Sequence, residues 1–146
     1  MTNSTSDRFF LDTNVFVYSW DRRDPAKQSR ASALVRGALE SGQGVISYQV
    51  VQEFVNVALR KFAKPMTVAD CLLYLETVLS PLCGVFPDAG FYAEGLRIRE
   101  LTGFSYYDAL IVTAALRAGC RTLYSEDLQD GREIGTLVIR NPFTHV

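Results

Sequence analysis

The stretch 9-FFLDTN-14 sets three apolar residues against an acid and two small polar side chains. An unbroken apolar run this short suits a strand covered on both faces, as in a parallel sheet. The same grammar recurs down the chain: Val45-Ile46, Val85-Phe86, Thr122 to Tyr124 and Thr136 to Ile139 read as further short strands. Helical stretches lie between them. Val15 to Trp20 predicts a short helix, and Asp24-Pro25 supplies an N-cap and a first-turn proline for a helix running to Gly42. Ser47 opens a helix through Lys61 or Phe62, with Val51, Phe54, Val55, Ala58 and Phe62 as its core stripe. Thr67 to Asp70 forms a capping box for a helix that stops before Pro81. Asp88 caps another ending near Gly103, and a helix from Tyr106 follows at once. Short strands alternating with helices predict an α/β fold with a mainly parallel sheet.

Composition narrows the chemistry. The 146 residues, 48% hydrophobic and 21% charged, suffice for one packed domain over 1–146, with no repeat or linker. No apolar run approaches the roughly 18–20 residues of a membrane span. Met1 to Arg8 is polar and lacks a signal peptide's apolar core, so a cytoplasmic location is expected. Cys71, Cys83 and Cys120 form no CxxC pair and read as buried small apolar residues. His145, the only histidine, stands next to the C-terminus, which argues against triads, paired-histidine ribonucleases and His-rich zinc sites. A net charge of −1 gives no global signature of nucleic-acid binding, although Arg22, Arg23 and Lys27 form a local basic cluster.

The acids are the informative residues. In such sheets the functional crevice lies beyond the carboxyl ends of the strands. Asp12 ends the first strand, and Asp127 follows the fourth in 124-YSEDLQDG-131; each taken alone also suits a turn or cap. In 105-SYYDALIVTAALRAG-119, Asp108 stands at the head of the apolar stripe of a helix. Ser105 at N-cap with Asp108 at N3 explains an acid there, but not one facing inward without a basic partner. A helical wheel sets Glu53 opposite the Val51–Phe54–Ala58 stripe, towards solvent, yet close to the helix start. Three strand-to-helix junctions and one strand-to-loop junction thus carry an acid at or near one sheet edge. Four carboxylates converging there without counter-charge repel and hold their protons unless a divalent cation joins them. Oxygen-only donors point to Mg2+ or Mn2+.

The ordered set LDTN (Asp12), SYQVVQEF (Glu53), SYYDALIVTAA (Asp108) and SEDL (Asp127), closed by NPF (Asn141 to Phe143), resembles the PIN-domain ribonucleases. Within them it is most similar to the VapC-type toxins of bacterial toxin–antitoxin pairs. The likeness runs from about Phe9 to Phe143, and the order of the motifs is what promotes Glu53 to a candidate. It implies a three-layer α/β/α sandwich and a metal-dependent endoribonuclease. Asp12, Glu53, Asp108 and Asp127 take the places of the family's four acids, as catalytic residues and as ligands for one or two ions, with Glu126 and Asp130 as neighbouring alternatives to Asp127. Asn14 and Ser105 fall where the family often keeps small polar residues that steady the acids or water. Ser125 stands where many relatives have threonine.

The resemblance further implies an RNA substrate, products with 5′-phosphate and 3′-OH ends, a small cognate antitoxin and a homodimer. Two other readings compete. One is a catalytically silent PIN-like module that binds RNA or protein. The other is a haloacid-dehalogenase-like phosphatase, whose usual second acid, two residues after the first, is here Asn14.

Overall fold

The computed structural model describes residues 7–146. The polar stretch from Met1 to Ser6, on which most of the signal-peptide expectation rests, lies outside the described residues. The elements run in the order β1 (Phe9–Leu11), α1 (Thr13–Ser19), α2 (Pro25–Ser41), β2 (Gly44–Ser47), α3 (Tyr48–Arg60), α4 (Val68–Tyr74), a π-helical turn (Leu75–Leu79), α5 (Ser80–Leu82), β3 (Cys83–Val85), α6 (Ala89–Thr102), α7 (Tyr106–Arg117), β4 (Thr122–Tyr124), β5 (Glu133–Ile134) and β6 (Leu137–Arg140). The six strands order as β3-β2-β1-β4-β6-β5. All neighbours are parallel except the β5–β6 hairpin at one edge. Phe10, Leu11, Val45 and Ile46 are buried in the central strands, because helices cover both faces of the sheet. The fold is a three-layer α/β/α sandwich.

Local chemistry sets most of the boundaries. Asp24, Thr67, Asp88 and Ser105 each N-cap a helix, their side-chain oxygens accepting backbone N–H bonds. Gly42 and Gly103 end α2 and α6 in the left-handed conformation, at φ 69° and 77°. Gly44 is required for a different reason. A Cβ there meets the Ala38 Cβ of α2 at 2.2 Å and its Cα at 2.7 Å. Gly44→Ala therefore pushes β2 off α2, and urea unfolding should show a loss of about 1–3 kcal/mol.

Several sequence expectations are corrected. The helix expected to stop before Pro81 continues past it. The chain widens into the π-helical turn first, so Pro81 falls at the start of the short closing segment, where its missing N–H is not needed. The third strand is Cys83–Val85, and Phe86 is exposed. The last strand begins at Leu137, and β5, only two residues long, was not anticipated. The fully buried stripe of α3 is Val50, Phe54 and Ala58, with Val51, Val55 and Phe62 only half-buried beside it. Helix α7 is buried on nearly every side, Thr113 included, so its sequence has no single inward stripe for Asp108 to head. Asp108 itself is half-buried, and it follows α6 rather than a strand. The three cysteines are free, Cys71 and Cys120 buried and Cys83 partly so. Among the described residues no helix is long and apolar enough to cross a membrane.

Candidate active site

Strands β2 and β3 are laid on one side of β1, whereas β4 and β6 are laid on the other. The switch point of the sheet is therefore the gap beyond the ends of β1 and β4, where an open α/β sheet has its crevice. Asp12 leaves β1 at this point and donates its N–H to the Tyr124 carbonyl of β4 at 3.0 Å.

Three consecutive residues then divide the work. Asp12 is buried, one carboxylate oxygen accepting from the Thr13 N–H at 2.7 Å and the other from the Ser125 hydroxyl at 2.7 Å. Thr13 donates its hydroxyl to Glu53 Oε1 at 2.6 Å, reaching across to α3. Asn14 donates its amide to Asp127 Oδ2 at 3.1 Å, reaching across to the loop after β4. Ser125 is fully buried and also accepts the Asp127 N–H at 3.2 Å, so one hydroxyl fixes two acids. The LDTN motif is thus both a helix cap and a clasp.

Burial pushes the Asp12 carboxyl up from its ordinary 3.8 to about 7. The bonds from Ser125 and Thr13 oppose that rise, and the charges of Glu53 and Asp127 add to it. Asp12, Glu53 and Asp127 therefore share one field. Glu53, Asp127, Thr13 and Asn14 line a hollow of about 640 Å3. Arg23 and Lys61 stand on its wall, but among the described residues neither forms an ion pair with these acids.

Asp108 approaches from another direction. Its N–H is capped by Ser105 Oγ at 3.2 Å, and among the described residues its carboxylate accepts no hydrogen bond. It does not line the hollow. The link between the two parts is Gln49, whose amide donates to Glu53 Oε2 at 3.3 Å and to the Tyr107 carbonyl at 3.2 Å. Among the described residues no three His, Cys, Asp or Glu side chains enclose a common ion position.

Gln49 is the residue that sequence reasoning missed. On the helical wheel it sits with Glu53 and reads as solvent-facing, yet it is 5% exposed. Its Oε1 and the buried Ser47 Oγ at the end of β2 have no hydrogen-bond partner. Their position at the carboxyl end of a central strand was the available signal.

The neighbours of Asp127 are already engaged. Glu126 is paired with Lys27 and accepts the Tyr18 hydroxyl at 2.6 Å. Lys27 also lies over the rings of Tyr18 and Phe143. Asp130 accepts the Asn141 N–H at 2.9 Å, and Asn141 Oδ1 accepts that of Phe143. The NPF segment thus buttresses Lys27 and Tyr18. Of the three acids, Glu126 and Asp127 both line the hollow and Asp130 does not, but Glu126 is paired with Lys27, which leaves Asp127 as the one there without a cation among the described residues. Lys27, expected in a basic cluster, is neutralised.

The fold and these contacts define a parallel α/β domain with clasped carboxylates at its switch point. The sequence profile of the PIN domain matches residues 9–129, and the chain belongs to that family. Solved structures share the fold. One is a toxin–antitoxin complex from Klebsiella pneumoniae, 19% identical over 92% of this chain and 97% of that one, with a TM-score of 0.61. Another is DNA-bound VapBC from Salmonella typhimurium, 19% identical over 93% and 98%, with a TM-score of 0.64. VapBC2 from Rickettsia felis bound to a promoter DNA fragment is 21% identical over 91% and 97%, with a TM-score of 0.60. A search of curated proteins finds no significant sequence match.

Proposed function

We propose that this chain is an endoribonuclease dependent on Mg2+ or Mn2+ and the toxin of a toxin–antitoxin pair. The observation that carries the reading is the Asp12-Thr13-Asn14 clasp, which gathers acids from three separate parts of the chain at the switch point. The donor set suits a hard cation. Every candidate ligand is an oxygen, and buried Ser47 Oγ and Gln49 Oε1 offer unpartnered acceptors beside it for hydrating water. Asp12, Asp108 and Asp127 are the residues assigned to hold one or two ions, directly or through water, with Glu53 joining through water. A bound divalent cation supplies charge neutralisation at a phosphate and a lowered pKa for water.

The chain's own residues do the rest. Thr13 holds Glu53 by Oε1 and Gln49 holds it by Oε2, which fixes the carboxylate to orient an attacking water through its remaining lone pairs. Asn14 and Ser125 fix Asp127 from two sides. Attack by water needs no RNA 2′-OH, so 5′-phosphate and 3′-OH ends are expected. A small antitoxin covering the hollow, self-association as a homodimer and action in the cytoplasm complete the proposal. The solved neighbours that are toxin–antitoxin complexes support the antitoxin.

Partner-free protein should cleave total RNA with Mg2+ or Mn2+, stop in EDTA, and lose about 100-fold or more in Asp108→Asn. Folded protein that takes up the ion by calorimetry but cuts nothing across an RNA panel overturns the nuclease in favour of a binding module. Phosphate release from small esters points instead to a phosphatase.

A further inference from the structure

We infer that a second cavity, beside the acidic hollow, docks an unpaired nucleobase and its flanking phosphates on a single-stranded RNA; this rests on the nuclease reading and names the form of RNA that the site takes. The cavity measures about 590 Å3 and is lined by Trp20, Arg22, Arg23, Lys61, Phe62 and Lys64 among others. Arg23 and Lys61 also line the hollow, so the two spaces adjoin across a shared wall. A strand lying in one can pass over that wall to the other.

Two features fix the chemistry of the occupant. The first is aromatic: Trp20 and Phe62 line the cavity, and Tyr74 and Phe54 back them from outside its lining. Trp20 meets Tyr74 edge-on at 5.4 Å, Tyr74 packs on Phe54 at 5.1 Å, and Phe54 meets Phe62 edge-on at 6.0 Å. This relay of rings holds Trp20 in place while leaving it 44% exposed. The second is unspent positive charge. Arg23 is paired with Asp21, but among the described residues no carboxylate lies within ion-pair distance of Arg22, Lys61 or Lys64. Asp21 and Asp70 are the acids in the wall, against four cations.

The fitting occupant is flat and apolar in one part and anionic in the next. Unpaired nucleotides have that alternation, and their bases stack on exposed aromatic rings. A duplex hides its base faces, and an apolar peptide leaves the cations without partners. The space falls in the range of small-ligand sites.

Trp20 is the only tryptophan, so its emission reports the cavity directly. The test titrates full-length protein, in EDTA to prevent cleavage, with an end-labelled ten-nucleotide single-stranded RNA of mixed sequence. Trp20 emission should change saturably and in step with RNA anisotropy, and a duplex of the same sequence should leave emission flat. Arg22→Glu with Lys64→Glu alters only exposed side chains. It should weaken binding by about 10-fold and make the salt slope shallower by about 1.4.

Binding seen by anisotropy with unchanged Trp20 emission overturns the inference, while cleavage with Mg2+ still decides the nuclease reading separately. No binding overturns it too. So does a response to a phenylalanine-containing acidic peptide but none to RNA, which makes the cavity a protein-docking site.

Discussion

Replacing Asp12 by Asn should stabilise the metal-free fold at pH 8 by roughly 2–4 kcal/mol while lowering RNA cleavage by about 100-fold or more. The two effects share one cause. Burial raises the Asp12 carboxyl from 3.8 to about 7. Below about pH 4 folded and unfolded chains both carry the neutral acid, and nothing is lost. As pH rises from there the unfolded chain ionises first, so the fold loses stability through the window up to about pH 7. At about 1.36 kcal/mol per pH unit the full loss is about 4 kcal/mol, an upper figure because Asn re-forms the bonds to Thr13 and Ser125 imperfectly. Urea unfolding in EDTA at pH 4 and pH 8 measures it. The wild type should lose stability between those values and Asp12→Asn should not. Added Mg2+ should narrow the gap at pH 8, because a ligand that binds only the folded wild type stabilises it. Parallel pH profiles for the two proteins would show that Asp12 titrates normally and is not held against a cost.

The largest loss of stability should come from Phe54→Ala, about 3–5 kcal/mol, with a fall in melting temperature on the order of 10 °C. Phe54 is fully buried and touches Phe16, Phe62 and Tyr74. Its removal opens a void bounded by rings from α1, the α3–α4 loop and α4, which cannot all close on it. Phe54 lies one residue after Glu53, so the void also loosens the segment that carries that acid. Chemical denaturation gives the first quantity, and a drop in cleavage exceeding that of Phe62→Leu gives the second. Equal stability of Phe54→Ala and wild type would mean that the aromatic relay is not the support assigned to it.

The residues that were legible from sequence are those governed by neighbours a few positions away. The apolar run Phe9–Leu11 declares a buried strand because both faces of a central parallel strand are covered. Asp24, Thr67, Asp88 and Ser105 declare helix starts because each cap bond spans only three residues. Glu53 was placed by the order of motifs rather than by its helical wheel, which correctly shows it exposed. Illegible were features set by what lies across the fold. Gln49 looks solvent-facing because the wheel contains α3 alone, whereas α7 and the end of β2 cover it. Lys27 looks like a free cation because Glu126, its partner, is 99 residues away. Pro81 looks like a stop because a π-helical turn is not written in local propensity.

By itself the sequence determined the strands, helices and caps, together with the oxygen-only set of acids, since these follow from bonds and periodicities within a turn or two of the chain. The tertiary structure alone decided which acids meet. The contacts Thr13–Glu53 and Asn14–Asp127 span 40 and 113 residues. They exist because β2 pairs on one side of β1 and β4 on the other, a placement that depends on burying sheet faces between helices and not on any local pattern.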